Sequence, residues 1–193
     1  SPEARMADSI SLTSAEEKVY SAGETEDGPW AAPLWFPDAR SLLSRNFCDG
    51  FAAHARRIHL ADGSAANVTV PRVRPALAIS RDGKTLYSTA HDVSGKSTSL
   101  VAIDLATGRE SKLWTSPYPL HEILVPLRLA LSPDGRTLAM VLGGPANETN
   151  LIRIGTDGRD YRVLVSVPRA NSISRSGLCW TQDGRALLYL LKD

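Results

Sequence analysis

Four stretches of the chain share one pattern of apolar and polar positions. In each, apolar residues alternate with small or polar ones, an Asp-Gly type corner follows, and a second alternating run begins. Alternation with period two on both sides of such a corner predicts a β-hairpin. The four copies are PLWFPDARSLLS at 33–44, LAISRDGKTLYS at 77–88, LALSPDGRTLAM at 129–140 and LCWTQDGRALLY at 178–189. The sequence therefore predicts a protein built from repeated hairpins.

Large apolar residues recur at fixed offsets from the aspartate of each corner. One set lies three residues before the aspartate and another lies four residues after it. Positions that stay large and apolar on both sides of a turn are typical of packing positions, so we predict that these residues lie between repeats. The aspartates are Asp38, Asp82, Asp134 and Asp183; the apolar residues are Trp35, Ile79, Leu131 and Trp180, then Leu42, Leu86, Leu138 and Leu187.

A second hairpin follows each of the first three copies. Its signature is an isoleucine and then a turn that contains glycine, seen at Ile58, Ile103 and Ile154. The whole unit recurs about every 50 residues, a period typical of four-stranded propeller blades. The predicted blades run over about 30–68, 73–116 and 123–167.

The two ends of the chain each match half of a blade. Ser9–Ser21 fits a second hairpin, with Ile10 in the place of Ile103, whereas Arg175–Asp193 supplies a first hairpin alone. In a closed ring such halves complete each other and remove exposed sheet edges. We therefore predict an all-β propeller of four-stranded antiparallel blades, about four blades' worth of sequence, with one blade shared by residues 175–193 and 9–21. The alternative is a fragment of a larger ring, either cut from it or paired into it by self-association through the half-blades.

One segment also fits a helix. Residues 51–60 place apolar side chains at helical spacing, but the repeat alignment makes 56–61 a strand. The repeat period takes precedence, because tertiary context often overrides a short window. A single helical turn at 49–55 is left open.

Composition excludes some classes of function. The chain has 193 residues and a formal net charge of +1, and such a balance argues against nucleic-acid binding driven by bulk charge. No apolar run reaches the ~20 residues of a membrane span, so no membrane insertion is predicted. Cys48 and Cys179 are the two cysteines. They are either paired or free, and buried free thiols are favoured; neither lies in a Cys-x-x-Cys motif, so no redox or zinc site is predicted.

The hairpins resemble the WD-repeat-like β-propeller repeat of TolB-type proteins. The closest copy is Ser132–Arg136, with the Ser-Pro-Asp-Gly-Arg order of that repeat. The second and fourth copies keep Asp-Gly and replace the proline by Arg81 and Gln182. In the first copy Ala39 replaces the glycine, so the turn of the first copy is expected to differ from the other three. The resemblance covers Ser9–Asp193. It implies a propeller with a periplasmic or extracellular location; TolB-type propellers usually have six blades, more than this length supplies.

No catalytic group, metal site or cofactor is predicted. The corner aspartates are interpreted as structural, because Asp at such a turn caps backbone N–H groups. Residues 157–160 lack the Asp-x-Asp-x-Asp-Gly spacing of a calcium loop. No Gly-x-Ser-x-Gly elbow is found, and the four histidines are scattered over different repeats.

The predicted function rests on loops that gather at one rim of the central channel. Aromatic and arginine residues on ordered loops are the usual material of recognition surfaces. The predicted function is therefore that of a non-catalytic binding or scaffolding module with a protein or peptide partner. Alternatives are a propeller that accompanies a serine peptidase or similar hydrolase, and a sensor of a small ligand or sugar held by Trp30, Tyr118 and His121. The binding residues predicted at the rim are Trp30, Arg74, Tyr118, His121, Glu122, Arg128 and Arg175.

Overall fold

The computed structural model describes residues 7–10, 17–20, 33–48, 52–68, 77–91, 97–119, 129–145, 148–168 and 173–191. Within these ranges the regular structure is β-strand throughout, with no α-helix. The strands are β1 Ala7–Ile10, β2 Glu17–Tyr20, β3 Leu34–Trp35, β4 Ser41–Cys48, β5 Ala52–His59, β6 Ala65–Val68, β7 Leu77–Ile79, β8 Thr85–His91, β9 Ser97–Asp104, β10 Glu110–Pro119, β11 Leu129–Leu131, β12 Thr137–Gly143, β13 Glu148–Gly155, β14 Arg162–Pro168, β15 Ile173–Trp180 and β16 Leu187–Leu191.

The strands form three four-stranded sheets in sequence order, called blade 1 (β3–β6), blade 2 (β7–β10) and blade 3 (β11–β14). All neighbouring strands are antiparallel, and this confirms the predicted all-β class with four-stranded blades. The hairpins β1–β2 and β15–β16 form two separate two-stranded sheets. The blade shared between the two chain ends therefore stays a prediction.

Alternation along each strand produces two apolar faces per blade, because successive side chains point to opposite sides of a sheet. In blade 3, Leu138, Met140 and Ile152 pack with residues of blade 2 such as Leu100. The residues between them point the other way and pack with Ile173 and Leu178 of β15; they include Ala139, Val141 and Leu151. Blades 1 and 2 are joined in the same way, through a cluster of Phe36, Leu43, Ala55, Leu86, Ala90, Val101 and Ile103. The core thus consists of layers between blades.

Seven of the eight predicted packing positions are buried or partly buried. Leu86 and Leu138 are fully buried, and the indole Nε1 of Trp180 donates a hydrogen bond across the blade boundary to the carbonyl oxygen of Ala130 at 3.0 Å. The prediction is wrong for Trp35, which is 60% exposed. It lies on the face of blade 1 that points away from blade 2, and no described blade covers that face.

Three further expectations are corrected by the structure. Residues 52–55, where a helical turn was left open, belong to strand β5. Cys179 carries a free thiol, as favoured, but it is exposed rather than buried. Ala39 keeps the turn of the glycine-containing copies: its N–H donates to the carbonyl of Phe36 at 3.0 Å, and its φ is 51°. The replacement of glycine therefore leaves the turn in place and puts alanine in the left-handed region, which L-residues enter at a cost.

Candidate functional site

The connections between strands fall at two opposite ends of the blades, because neighbouring strands run in opposite directions. At one end, called the turn rim, short turns join the first strand to the second and the third to the fourth. They are 36–40, 80–84, 132–136 and 181–186, then 60–64, 105–109 and 156–161. At the other end, the loop rim, lie the connections from the second strand to the third and from blade to blade. They are 49–51, 92–96 and 144–147, then 69–76, 120–128 and 169–172.

The described part of the chain contains two of the seven predicted binding residues. Tyr118 is half-buried next to the last residue of β10, and Arg175 lies near the start of β15. Both strand ends are at the loop rim, so the topology places these two positions on the predicted side. The other five lie outside the described residues: Trp30, Arg74, His121, Glu122 and Arg128. A joint site of all seven stays a prediction.

The corner aspartates are engaged within their own turns. Asp134 Oδ1 accepts a hydrogen bond from Ser132 Oγ at 2.6 Å and another from the backbone N–H of Arg136 at 3.0 Å. Hydrogen bonds to a carboxylate favour its charged form, led here by the Ser132 hydroxyl, and they lower the pKa of Asp134. Asp82 and Asp183 repeat this arrangement with Ser80 and Thr181 as hydroxyl donors. The prediction that these aspartates cap backbone N–H groups is confirmed.

The first turn adds a cation to the same arrangement. The backbone N–H of Arg40 donates to Asp38 at 2.9 Å, Ser41 donates from its N–H and hydroxyl, and the Arg57 guanidinium pairs with the carboxylate. Led by the Arg40 hydrogen bond, these contacts lower the pKa of Asp38 from 3.8 to about 2. The same guanidinium lies 4.1 Å from the ring centroid of Phe36, within cation–π range. Arg57 thus ties strand β5 to the turn before β4.

We expect the protein to lose stability in acid, below about pH 5. The pKa values of Asp38, Asp82, Asp134 and Asp183 are all lowered in the folded state, so the unfolded chain binds more protons as the pH falls. The stabilisation of the folded state by these carboxylates is complete above the ordinary carboxyl pKa of 3.8, and it is lost as the pH falls towards about 2. The urea midpoint should stay level from neutral pH to about pH 5 and then drop. In Asp38→Asn the drop should be smaller; a midpoint that is level down to pH 2 would contradict this expectation.

A polar cavity of about 350 Å³ lies at the turn rim of blade 3. Its charged lining is balanced, with Arg136 and Arg153 opposed by Asp157 and Asp160. The Asp157 carboxylate already accepts the backbone N–H of Arg159 at 2.9 Å. Within the described residues no cluster of three or more His, Cys, Asp or Glu could hold a metal ion. The cavity therefore offers charged groups of both signs and no assembled metal site.

Exposed apolar side chains lie at the two ends of the blade array. The leading face is the side of blade 1 that carries Trp35. The trailing face is the side of β15–β16 that carries Leu188 and Leu190, which are 58% and 63% exposed. Sequence reasoning missed these two leucines. Counted from Asp183, they correspond to Ala139 and Val141 of blade 3, which are buried, so the repeat alignment contained the signal.

No protein-family model and no curated protein matches the sequence. Solved structures do match. TolB from Acinetobacter baumannii is 16% identical, with a TM-score of 0.65 over 90% of this chain and 40% of that chain. The tricorn protease is 14% identical with a TM-score of 0.51, over 79% of this chain and 14% of that one. A prolyl endopeptidase is also 14% identical with a TM-score of 0.51, over 83% and 26%.

The chain has a TolB-like β-propeller fold. This likeness supports the resemblance inferred from the Ser-Pro-Asp-Gly repeat at the level of the fold. The TolB-like propeller spans less than half of the length of each of these three solved chains. No helix in its described part is long and apolar enough to cross a membrane.

Proposed function

We propose that this TolB-like propeller is a non-catalytic binding module that recognises a protein or peptide through its loop rim. The observation that carries the proposal is the difference between the two rims. The turn rim repeats one short turn whose aspartate is hydrogen-bonded within the turn. The loop rim has connections of unequal length, such as 49–51 between β4 and β5 and 120–128 between β10 and β11. Variable segments held by a rigid scaffold are where binding residues concentrate.

The composition of the loop rim supports a macromolecular partner. Tyr118 and Arg175 are near strand ends on this rim. Tyrosine and arginine are among the residues enriched at the centres of protein interfaces. Trp30, His121 and Glu122 fall in segments that connect strands at this rim or precede blade 1. A rim with aromatic, cationic and anionic groups fits a peptide in which an apolar side chain lies next to charged side chains.

Panning a displayed peptide library against the protein tests the proposal. We expect selected peptides to bind the parent protein and to lose about tenfold or more in affinity for Tyr118→Ala and Arg175→Ala, since removal of a central aromatic or arginine anchor costs about 2 kcal/mol or more and 1.4 kcal/mol is about tenfold. Lys84→Ala, an exposed cation of the turn rim, is the matched control and should leave affinity unchanged. Peptides that respond to Lys84→Ala and ignore both loop-rim variants would overturn the proposal.

The other functions predicted from sequence remain proposals of lower rank. A small-ligand sensor would use Trp30, Tyr118 and His121. If titration with free sugars gave the same affinity for Trp30→Ala as for the parent protein, that result would contradict this function. A propeller that accompanies a hydrolase would require a catalytic domain in addition to these 193 residues. The resemblance to TolB-type proteins supports a periplasmic or extracellular location, and a reporter fusion that is active only outside the cytoplasm would test it.

A further inference from the structure

Blade 3 differs from blades 1 and 2 at one cross-strand pair near the turn rim. In each blade this pair begins two residues after the first residue of the second strand. The equivalent pairs are Leu43 with Arg57 in blade 1, Tyr87 with Ala102 in blade 2 and Ala139 with Arg153 in blade 3. Leu43 and Tyr87 are large and buried in apolar layers, whereas blade 3 has a small alanine at this position. Its partner Arg153 lines the polar cavity of about 350 Å³.

Arg153 has the position of Arg57 without the contacts that Arg57 forms. The guanidinium of Arg57 pairs with the carboxylate of Asp38. The equivalent carboxylate of blade 3, that of Asp134, accepts the hydroxyl of Ser132 at 2.6 Å instead. Arg153 is half-buried, and in the part of the chain that the structure describes no ion pair or side-chain hydrogen bond engages it. A guanidinium has five N–H donors and no acceptor, so Arg153 presents an unused set of donors to the cavity.

The turn between β13 and β14 contributes two carboxylates to the same cavity. They belong to Asp157 and Asp160, which are both exposed. Asp157 accepts the backbone N–H of Arg159 at 2.9 Å, and among the described residues neither carboxylate forms an ion pair. The cations of the cavity, Arg136 and Arg153, lie at the start of β12 and on β13. The cavity therefore has positive groups on its strand side and negative groups on its turn side.

Backbone contacts hold the two sides of the cavity in place. The N–H of Thr156 donates to the carbonyl of Arg136 at 2.9 Å, and the N–H of Gly155 donates to the carbonyl of Arg159 at 2.7 Å. A Cβ at Gly155 would stand 2.5 Å from Oδ1 of Asp157, so glycine at this position makes room for the carboxylate. A site whose walls are fixed in advance loses less conformational freedom when a ligand binds.

We propose that this cavity binds a small zwitterion of the α-amino-acid class, with its carboxylate on Arg153 and its ammonium group on Asp160. The planar guanidinium matches a carboxylate through two parallel hydrogen bonds. An anion without a positive group would be repelled by the carboxylates of the turn, and a simple cation would be repelled by the guanidinium groups. The cavity has the volume of roughly ten water molecules, which is enough for a free amino acid.

Isothermal titration calorimetry with free α-amino acids, one at a time, tests the chemistry of the ligand. We expect at least one to bind with 1:1 stoichiometry and a dissociation constant of about 1 mM or below. Its N-acetyl derivative, which lacks the ammonium group, and its carboxamide, which lacks the carboxylate, should each bind about tenfold or more weakly. Equal binding of the N-acetyl derivative or of inorganic phosphate would overturn the proposal in favour of a simple anion site. No binding of any amino acid at about 10 mM would overturn it as well.

Variants of the cavity test the assignment of the two charged groups with the same amino acid. Arg153→Leu and Asp160→Asn should each weaken binding about tenfold or more, and Arg153→Lys should weaken it less, because lysine keeps the charge without the paired donors. Arg109→Leu, which removes an exposed cation from the equivalent turn of blade 2, is the matched control and should leave affinity unchanged. Urea unfolding checks that each variant folds. Affinity that is unchanged in Asp160→Asn, or in a folded Arg153→Leu, would overturn the proposal. The loop rim is at the opposite end of the blades, so neither result bears on peptide binding there.

Discussion

Gly158→Ala should lower the free energy of unfolding by about 3 kcal/mol, well above the typical loss for a single substitution. Gly158 has a φ of 82°, in the left-handed region that L-residues enter at a cost. A Cβ at this position would also overlap the carbonyl group of Leu113 in the outer strand of blade 2. Backbone cannot move aside as a flexible side chain can, so the two blades would have to separate locally.

Gly184→Ala is the matched control for this prediction. Gly184 has a φ of 70°, and a Cβ there would stand 3.5 Å from the ring of Pro133, an ordinary contact. Gly184→Ala should lower the free energy of unfolding by about 1 kcal/mol, which is the cost of the left-handed backbone conformation alone. Urea unfolding followed by circular dichroism measures both variants. Equal losses would show that the contact between Gly158 and Leu113 carries no stability of its own.

The close approach at Gly158 is part of an outer contact between blades 2 and 3. The rings of Trp114 and Tyr161 stack there, with centroids 5.0 Å apart and planes at 21°. Offset stacking of this kind contributes about 0.5–1.5 kcal/mol beyond the area that it buries. A displaced turn at Gly158 would move Tyr161 as well, so part of the predicted loss comes from this stack.

Leu138→Ala should cost about 3 kcal/mol, within the usual range for truncation of a buried leucine. The side chain is fully buried in the layer between blades 2 and 3, where Leu129, Met140 and Ile154 surround it with Leu100 of blade 2. Residues of two sheets line the cavity that alanine would leave, and paired strands cannot collapse freely into it. The loss therefore includes a cavity contribution in addition to transfer of the removed atoms.

Leu164→Ala is the control for this core substitution. Leu164 lies in strand β14 and is 43% exposed, so its truncation should change the free energy of unfolding by about 0.5 kcal/mol or less. The two variants are compared by urea unfolding at one protein concentration, so that association contributes equally. A loss for Leu138→Ala no greater than that for Leu164→Ala would mean that the layer between blades is loosely packed.

Local pattern predicted most of the fold, because strand period and turn chemistry are local properties. The alternation around Asp134 predicted the hairpin of β11 and β12, and its Gly135 has the positive φ of 75° that such a corner requires. Residues 52–59 show where a shorter window misleads: their apolar spacing fits a helix, yet pairing with β4 on one side and β6 on the other makes them a strand.

The alternation of apolar and polar residues could not predict what covers each apolar face of a blade. Trp35 and Ile79 occupy equivalent positions, but Ile79 packs against blade 1 while Trp35 has no described blade before it. Burial depends on the neighbour and not on the residue itself. The repeat alignment places Leu188 and Leu190 at packing positions, but it could not show that no described blade covers them, since an apolar strand at the end of an array has the same pattern as one inside it. The residues predicted to bind at the loop rim are spread over several repeats, and no local rule brings them together.

The stacking of layers between blades has a consequence for how the molecule opens. Each blade shares its apolar layers with the blades next to it in sequence, so the energetics are those of a one-dimensional array with nearest-neighbour coupling. Units at the ends have one coupled side and units in the middle have two. Amide hydrogen exchange should therefore be slowest in β8, β9 and β12, and fastest in β3 and β16. Such an array can gain or lose a whole repeat without redesign of those that remain.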